Sequence, residues 1–312
     1  MKKNFLILIF LLMLLLNTST KNGTIIGLNI WLNNIVPVLF PYILIINIIM
    51  LFEAFTTVSF FIYPFFSKIF KVSKNGCFCI IVGFLCGFPI GIKLINDMVS
   101  DKKLTPSEGN YLATFCNNIS PSFYLNIVIS GNFMQNSDYI NNYYTPLLHI
   151  IFILLPYLAS IICSFIYRFL HKVDIINLCE QSSKKQPNTP ENISSCILNT
   201  FDSLFTIGGY IIIFSIISNI LLTRINLPPI YNSILNTFID ITNSAILFKN
   251  QSARLLITKL IPLCSFGGIS ALFQALSFIR HKELSKKVFV TYRFINLVIS
   301  FLFSNIIYFL IS

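Results

Sequence analysis

The sequence predicts an all-α, polytopic membrane protein, and three observations support this fold class. Of the 312 residues, 55% are hydrophobic and 11% are charged, whereas soluble domains are typically about 25% charged. Stretches that contain Gly, Pro or Asn interrupt several apolar segments. Segments long enough to cross a bilayer lie at roughly 34–55, 146–169, 195–222 and 288–311. The length therefore allows about seven to nine crossings, at about 20 residues each.

The first 26 residues are expected to form an N-terminal transmembrane segment. Lys2 and Lys3 precede the apolar run Phe5–Leu16, which also has the proportions of a signal peptide. Because residues 17–20 contain no small-x-small cleavage site, we favour an uncleaved span with a cytoplasmic N-terminus.

The net charge of +11 is concentrated at the ends of apolar segments, at residues such as Lys68, Lys71, Lys74, Arg168 and Lys172. Such a bias is typical of cytoplasmic loops. The loop at 131–145 has no Lys or Arg and is expected on the outside. This distribution indicates a lipid bilayer as the partner and argues against nucleic acid.

The eight cysteines and three histidines lack the spacing of a metal site. Cysteine in an apolar run behaves as a small hydrophobe. The sequence also contains no evident nucleophile–base pair, phosphate-binding loop or carboxylate pair. We therefore expect no metal, no cofactor and no enzymatic activity.

A charged, polar stretch at 171–192 separates two hydrophobic halves. We interpret it as a cytoplasmic linker between a first repeat at 27–170 and a second at 193–312. Three pairs of stretches match between the halves: Leu28–Trp31 with Leu198–Phe201, Leu85–Phe88 with Leu263–Phe266, and Lys102–Thr105 with Lys282–Ser285. Since the first repeat would begin outside and the second inside, the halves are predicted to be inverted repeats.

The first interrupted segment is predicted to start a half-helix near Phe88. Pro89 suits the first turn of a helix, while Gly87 and Gly91 permit close approach of neighbouring groups. The free N–H groups of such a start favour an anion. Lys93, one turn further on, either adds its charge to that site or extends to the membrane interface.

The second interrupted segment follows a capping box at Thr105–Glu108. The helix that it starts is expected to run to about Cys116 and to end at Asn117 and Asn118, with Ser120 and Pro121 starting the next. The two amides suit a polar solute or an ion. The alternative is that they only satisfy the interrupted backbone.

A third interruption, in the second half, is expected to face the first two. Its predicted lining residues are Phe266, Gly267, Gly268, Ser270 and Gln274.

An acidic residue also lies in the apolar stretch Ile234–Phe248. Asp240, with Thr242 and Asn243, is the candidate coupling site for H⁺ or Na⁺. Asp240 would otherwise pair with a cation such as Lys93, or act as an interfacial helix cap.

Several of these motifs together resemble one family over essentially the whole chain. They are Val36–Pro41, Gly87–Lys93, Leu104-Thr105 with Glu108, Phe115–Phe123 and Phe266–Ser270. They are similar to those of the YlbJ-type sporulation integral membrane proteins, within the nucleoside-recognition (Gate) superfamily that includes nucleoside transporters. The resemblance implies two Gate repeats and a multi-pass protein of a bacterial cell membrane, with the outer forespore membrane as a candidate location.

Family members resemble carriers of dipicolinic acid, so the resemblance implies export of a small organic anion during spore formation. Phe88 and Phe266 would stack on an aromatic solute. Departures from the family pattern at Ile92 and Ser244 leave room for another substrate. Two alternatives stay open: a nucleoside or nucleobase carrier, and a non-transporting scaffold for spore-envelope assembly. The sequence does not predict an oligomeric state.

Overall fold

The computed structural model describes residues 17–123, 145–171, 192–225, 227–244 and 255–311. The predictions for residues 1–16, for the outer loop at 131–144 and for the linker at 172–191 lie outside these residues. All regular secondary structure in the described ranges is helical. Five helices there are long and apolar enough to cross a membrane: Thr18–Leu51, Leu154–His171, Ile193–Arg224, Ile257–Phe278 and Lys286–Leu310. The prediction of an all-α, polytopic membrane protein is thus confirmed.

The described α-helices are numbered here in chain order. Those of the first half are α1 (Asn17–Ile30), α2 (Val36–Leu51), α3 (Phe55–Phe60), α4 (Tyr63–Phe70), α5 (Lys74–Leu85), α6 (Ile90–Ser100), α7 (Pro106–Ala113) and α8 (Thr145–His171). Those of the second half are α9 (Ile193–Arg224), α10 (Pro229–Ile239), α11 (Ile241–Ser244), α12 (Ile261–Phe266), α13 (Gly268–Phe278) and α14 (Lys286–Ile311). Short π-helical stretches, Trp31–Ile35 and Leu256–Leu260, join α1 to α2 and lead into α12.

The first long helix of each half packs against the other in opposite directions. A Cβ added to Gly23 or Gly27 would lie 2.7–2.8 Å from a Cα of α9, so these glycines bring the two backbones together. Hydrogen bonds pair the helices in reverse order: Asn219 with Ser19, Leu204 with Trp31, and Cys196 with Asn47. Antiparallel first helices are what inverted repeats require; the repeat itself stays a prediction.

Helices α5 and α6 form a hairpin that enters and leaves at one end of the molecule. Near its open end, Asn75 Nδ2 donates to the Lys103 carbonyl at 2.8 Å. Midway, Cys79 Sγ lies 3.4 Å from Met98 Sδ. The 12 residues of α5 span about 18 Å, which is too short for a bilayer core of about 30 Å. The sequence admits either a re-entrant hairpin or full spans at 77–130. In the described part of that range, α5 and α6 pack side by side as a hairpin.

Helix α7 starts at the open end of this hairpin, as the capping box predicts. The Thr105 hydroxyl accepts a hydrogen bond from the Glu108 backbone N–H at 3.2 Å. The Glu108 carboxylate, however, accepts from the Ser73 N–H at 2.8 Å. Thus Glu108 ties α7 to the start of α5. The helix ends at Ala113 rather than near Cys116, because the chain there turns into the second interruption.

Two loops, 101–105 and 279–285, meet at the same end of the molecule, and we call this end the basic end. The side-chain oxygen of Asn96 accepts from the N–H groups of Arg280 and His281, each at 2.9 Å. Asn110 Nδ2 donates to the Glu283 carbonyl at 2.9 Å. Inverted-repeat equivalents occupy opposite ends of a protein. The matching stretches Lys102–Thr105 and Lys282–Ser285 thus lie at one end of the molecule, and the inverted repeat stays a prediction.

Candidate functional site

The predicted interruptions from the two halves meet inside the molecule. The Phe88 ring lies over Gly267, where an added Cβ would be 2.8 Å from two ring carbons. Gly87 lies equally close to the backbone of the second interruption, because its added Cβ would be 2.8 Å from Ser120 N. Gly87 and Gly267 both have positive φ, +83° and +91°, which favours glycine. The site therefore combines three segments that the sequence predicted separately.

Two further glycines let the second interruption pack against the hairpin. Gly83 on α5 and Gly91 on α6 lie against the Cys116 carbonyl, and a Cβ on either would overlap that oxygen. The Asn118 N–H also points to the Gly83 carbonyl, at 3.4 Å. The close approach expected at Gly91 is therefore present.

The centre of the site is occupied by Arg293 of α14, a residue missing from the sequence-based prediction. It is 2% exposed. Its Nη1 donates to the Asn117 carbonyl at 2.6 Å, and its Nη2 donates to the Ser265 and Phe266 carbonyls at 2.5 and 2.7 Å. A sequence signal existed, since one arginine interrupts the apolar segment 288–311 and ionisable residues at membrane depth are functional candidates.

Two of the three carbonyls bound by Arg293, those of Ser265 and Phe266, belong to the last residues of α12. Helix α12 ends at Phe266, and Asn117 follows the turn after α7. The last carbonyls of a helix carry negative partial charge, which a guanidinium offsets while donating in several directions. No described acidic side chain forms an ion pair with Arg293. Its charge is therefore stabilised by carbonyl dipoles and by the Phe88 ring, whose centre lies 4.8 Å from Cζ.

A chain of buried polar side chains continues from Asn118 into α8 and α14. The Ser160 hydroxyl donates to Asn118 Oδ1, and Asn296 Nδ2 donates to Ser160 Oγ at 2.8 Å. The Ser265 hydroxyl donates to Asn296 Oδ1 at 2.7 Å and accepts from Ser300 at 2.8 Å. Of these residues only Asn118 was a predicted site residue; the others join elements far apart in sequence.

Two buried oxygens of the site have no hydrogen-bond partner in the described part of the chain. One is Asn117 Oδ1, and the other is Asp240 Oδ2. The other carboxylate oxygen of Asp240 accepts from the N–H and hydroxyl of Thr242, at 2.8 and 2.7 Å. Buried polar groups are normally paired, so these two atoms are available to a ligand, with the Ser270 hydroxyl approaching the Asp240 carboxyl.

Asp240 lies beside the break between α12 and α13. A Cβ on Gly268 would lie 3.1–3.3 Å from the backbone of residues 237–241, which brings the end of α10 against the start of α13. Ser270 faces the Asp240 carboxyl, and Gln274 Nε2 donates to Ser270 Oγ at 3.1 Å. The side chain of Asn243 lies outside the described residues.

Lys93 lies away from this centre. Its Nζ is 2.8 Å from Asp97 Oδ2, one turn along α6, and it does not pair with Asp240. The pair lines a cavity of about 340 Å³ that opens at the basic end between α2, α6 and α9. Other polar residues of its lining are Asn47, Asn96, Ser100, Asp101, Lys103, Ser195, Asn199, Asp202, Ser203 and Arg280.

The two phenylalanines predicted to stack on a solute already pack against protein groups. Phe88 faces Arg293. The Phe266 ring stacks on Phe238 at 6.0 Å between centroids and also contacts Phe294 at 5.2 Å. A solute that stacked on either ring would have to displace these contacts.

The helices and the interrupted segments define an integral membrane protein whose half-helices meet around a buried arginine. The chain is similar to the sporulation integral membrane protein YlbJ of Bacillus subtilis (strain 168), with 22% identity over 213 residues. The match covers 62% of this chain and half the length of YlbJ. It supports the resemblance to YlbJ-type proteins drawn from the motifs, at the level of a distant relative. No family model matches the sequence, and no solved structure matches it.

Proposed function

We propose that the protein is a membrane transporter of a small organic anion, with dipicolinate as the first solute to test. The observation that carries this proposal is the convergence of three interrupted segments around Arg293. Backbone that leaves the helical pattern within a bilayer is tolerated where protein covers it or where it lines a cavity. Transporters place substrate sites at such discontinuous helices, whereas a scaffold has no need of them.

The helix starts at the centre favour an anion. Arg293 binds the last carbonyls of α12 and the Asn117 carbonyl after α7. The N-terminal ends of α6 and α13, at Ile90 and Gly268, lie at the same breaks and carry positive partial charge. Helix N-termini of this kind bind carboxylates and phosphates. The N–H groups at these helix starts could donate to a small carboxylate, and Asp240 is the acidic side chain beside the start of α13.

The cavity at the basic end is the proposed route from the cytoplasmic side. Its volume of about 340 Å³ is within the range of small-molecule sites. Lys93, Lys103 and Arg280 line it together with Asp97, Asp101 and Asp202. Basic ends of membrane proteins face the cytoplasm. The similarity to a sporulation protein supports a role in the membranes of a spore-forming cell, and the outer forespore membrane is part of this proposal.

Asp240 is the proposed coupling residue, since its carboxyl is buried at a break and has one unpaired oxygen. In Asp240→Asn, the amide oxygen would still accept the Thr242 hydrogen bonds. We therefore expect a folded variant whose uptake no longer responds to a proton or Na⁺ gradient. The exposed Glu283→Gln provides a control with the same change in charge.

The test of function is uptake of labelled dipicolinate into proteoliposomes. Wild type is compared with Asn117→Ala, which removes the unpaired Oδ1 of the site, and with Asn305→Ala, whose side chain donates to the Phe301 carbonyl of its own helix. We expect the first variant to lose uptake and the second to retain it. No uptake by folded wild type, with either membrane orientation and any ion gradient, would exclude dipicolinate. Uptake of labelled nucleosides instead would favour a nucleoside carrier.

A further inference from the structure

We propose that the guanidinium of Arg293 takes the place of a bound metal cation. It occupies a position between the interrupted segments that is suited to a small metal cation. In membrane transporters, unwound carbonyls and the C-terminal ends of half-helices coordinate coupling cations. Here three carbonyl oxygens converge, from Asn117 in the first half and from Ser265 and Phe266 in the second. Oxygen atoms in such an arrangement are typical ligands of hard cations.

The arginine fills this position completely. Its two terminal nitrogens lie 2.5–2.7 Å from the three oxygens, so no metal ion fits among them while Arg293 is in place. The side chain is anchored in the long helix α14 and is 2% exposed. Arginine remains protonated in proteins. The positive charge between the two halves is therefore permanent and does not depend on the ion content of the solution.

A single bound ion can both hold interrupted segments together and exchange with the solution. In this protein, the two roles belong to different groups. The charge that holds the interrupted segments together comes from Arg293, and any exchangeable ion acts elsewhere, with Asp240 as the proposed position. The closed arrangement of the protein should thus form equally well in sodium, potassium or choline salts. This inference does not rest on the identity of the transported solute.

The experiment is chemical rescue of the full-length protein, purified in detergent and followed by its thermal unfolding midpoint, Tm. Removing the side chain in Arg293→Ala opens a space lined by the three carbonyls. We expect a lower Tm, which low-millimolar guanidinium or methylguanidinium raises by several degrees and which an equal concentration of choline leaves unchanged. Wild type should show no such rise with guanidinium. Asp240→Asn, which lacks the carboxylate proposed to bind an exchangeable ion, should have the same Tm in sodium and choline salts. Arg224→Ala, an exposed arginine at the end of α9, is the matched control.

Three results would overturn the proposal. One is a folded Arg293→Ala whose Tm is not raised by guanidinium, methylguanidinium or Na⁺. Another is Asp240→Asn, with Arg293 in place, whose Tm still rises specifically with Na⁺. If Arg293→Ala does not fold, Arg293→Lys and Arg293→Gln replace it, because a lysine retains the charge and a glutamine does not. The lysine variant should have the higher Tm, and a lysine variant no more stable than the glutamine variant is the third result. A transporter assay that fails while rescue succeeds would refute the proposed function alone.

Discussion

The guanidinium carbon of Arg293 lies 4.8 Å from the centre of the Phe88 ring, so the last long helix contacts the tip of the first-half hairpin. This contact joins residues more than 200 positions apart. The same guanidinium binds the carbonyl of Asn117 in the second interruption. A single side chain on α14 thus holds both interrupted segments of the first half against the second half.

We expect Phe88→Leu to lower the free energy of unfolding by about 1–2 kcal/mol, the value of a desolvated cation–π contact. Leucine retains an apolar side chain over Gly267 but lacks the ring face. Thermal unfolding in detergent measures the effect. Phe169→Leu is the control, since that ring is 85% exposed on the surface. Equal Tm values for the two variants would show that the Arg293–Phe88 contact contributes nothing.

Gly91→Ala should destabilise the protein, because its methyl group would overlap the Cys116 carbonyl. Overpacking of this kind costs about 1–3 kcal/mol. Gly209→Ala provides the opposite case, since nothing lies within 4 Å of its added Cβ and alanine favours a helix by about 1 kcal/mol. We expect Tm to fall in the first variant and to stay unchanged or rise in the second. Unchanged Tm in Gly91→Ala would contradict the packing of the hairpin on residue 116.

Asn296→Ala should disrupt the buried polar chain between α8, α12 and α14. Ser160 would lose a donor and Ser265 an acceptor, and a buried polar group without a partner costs about 1–3 kcal/mol. Asn305→Ala on the same helix, which loses one bond to its own turn, should have a smaller effect. The two are compared by chemical unfolding in mixed micelles. If Asn296→Ala and Asn305→Ala lose similar amounts of unfolding free energy, the buried polar chain adds nothing to stability.

Lys93→Ala should affect uptake more than stability. The Lys93–Asp97 pair is partly exposed, with Lys93 at 14% and Asp97 at 42%, and such pairs contribute less than about 1 kcal/mol. If the cavity is the route of an anion, loss of this charge should raise the KM of uptake several-fold at nearly unchanged Tm. Lys286→Ala, exposed at the basic end, is the control. An unchanged KM would exclude Lys93 from the route.

Residues close together in the sequence account for the predictions that were confirmed. Gly267 ends one helix and starts the next because its left-handed conformation favours glycine. The N-cap at Thr105 depends on a contact over three residues. The pattern did not distinguish a re-entrant hairpin from full spans at residues 77–130, since both have the same apolar composition. Only the structure showed that α5 packs on α6 as a short hairpin.

By itself, the sequence determined that this is an all-α, polytopic membrane protein with interrupted helices near residues 87, 117 and 267. Composition and the conformational limits of Gly and Pro are local properties. They can therefore be identified from the sequence without knowledge of the fold. Only the tertiary structure showed that Arg293 bonds Asn117 across 176 positions and that Lys93 faces a cavity rather than the centre. The partner of a long side chain depends on which distant helix packs beside it, and that is a property of the whole fold.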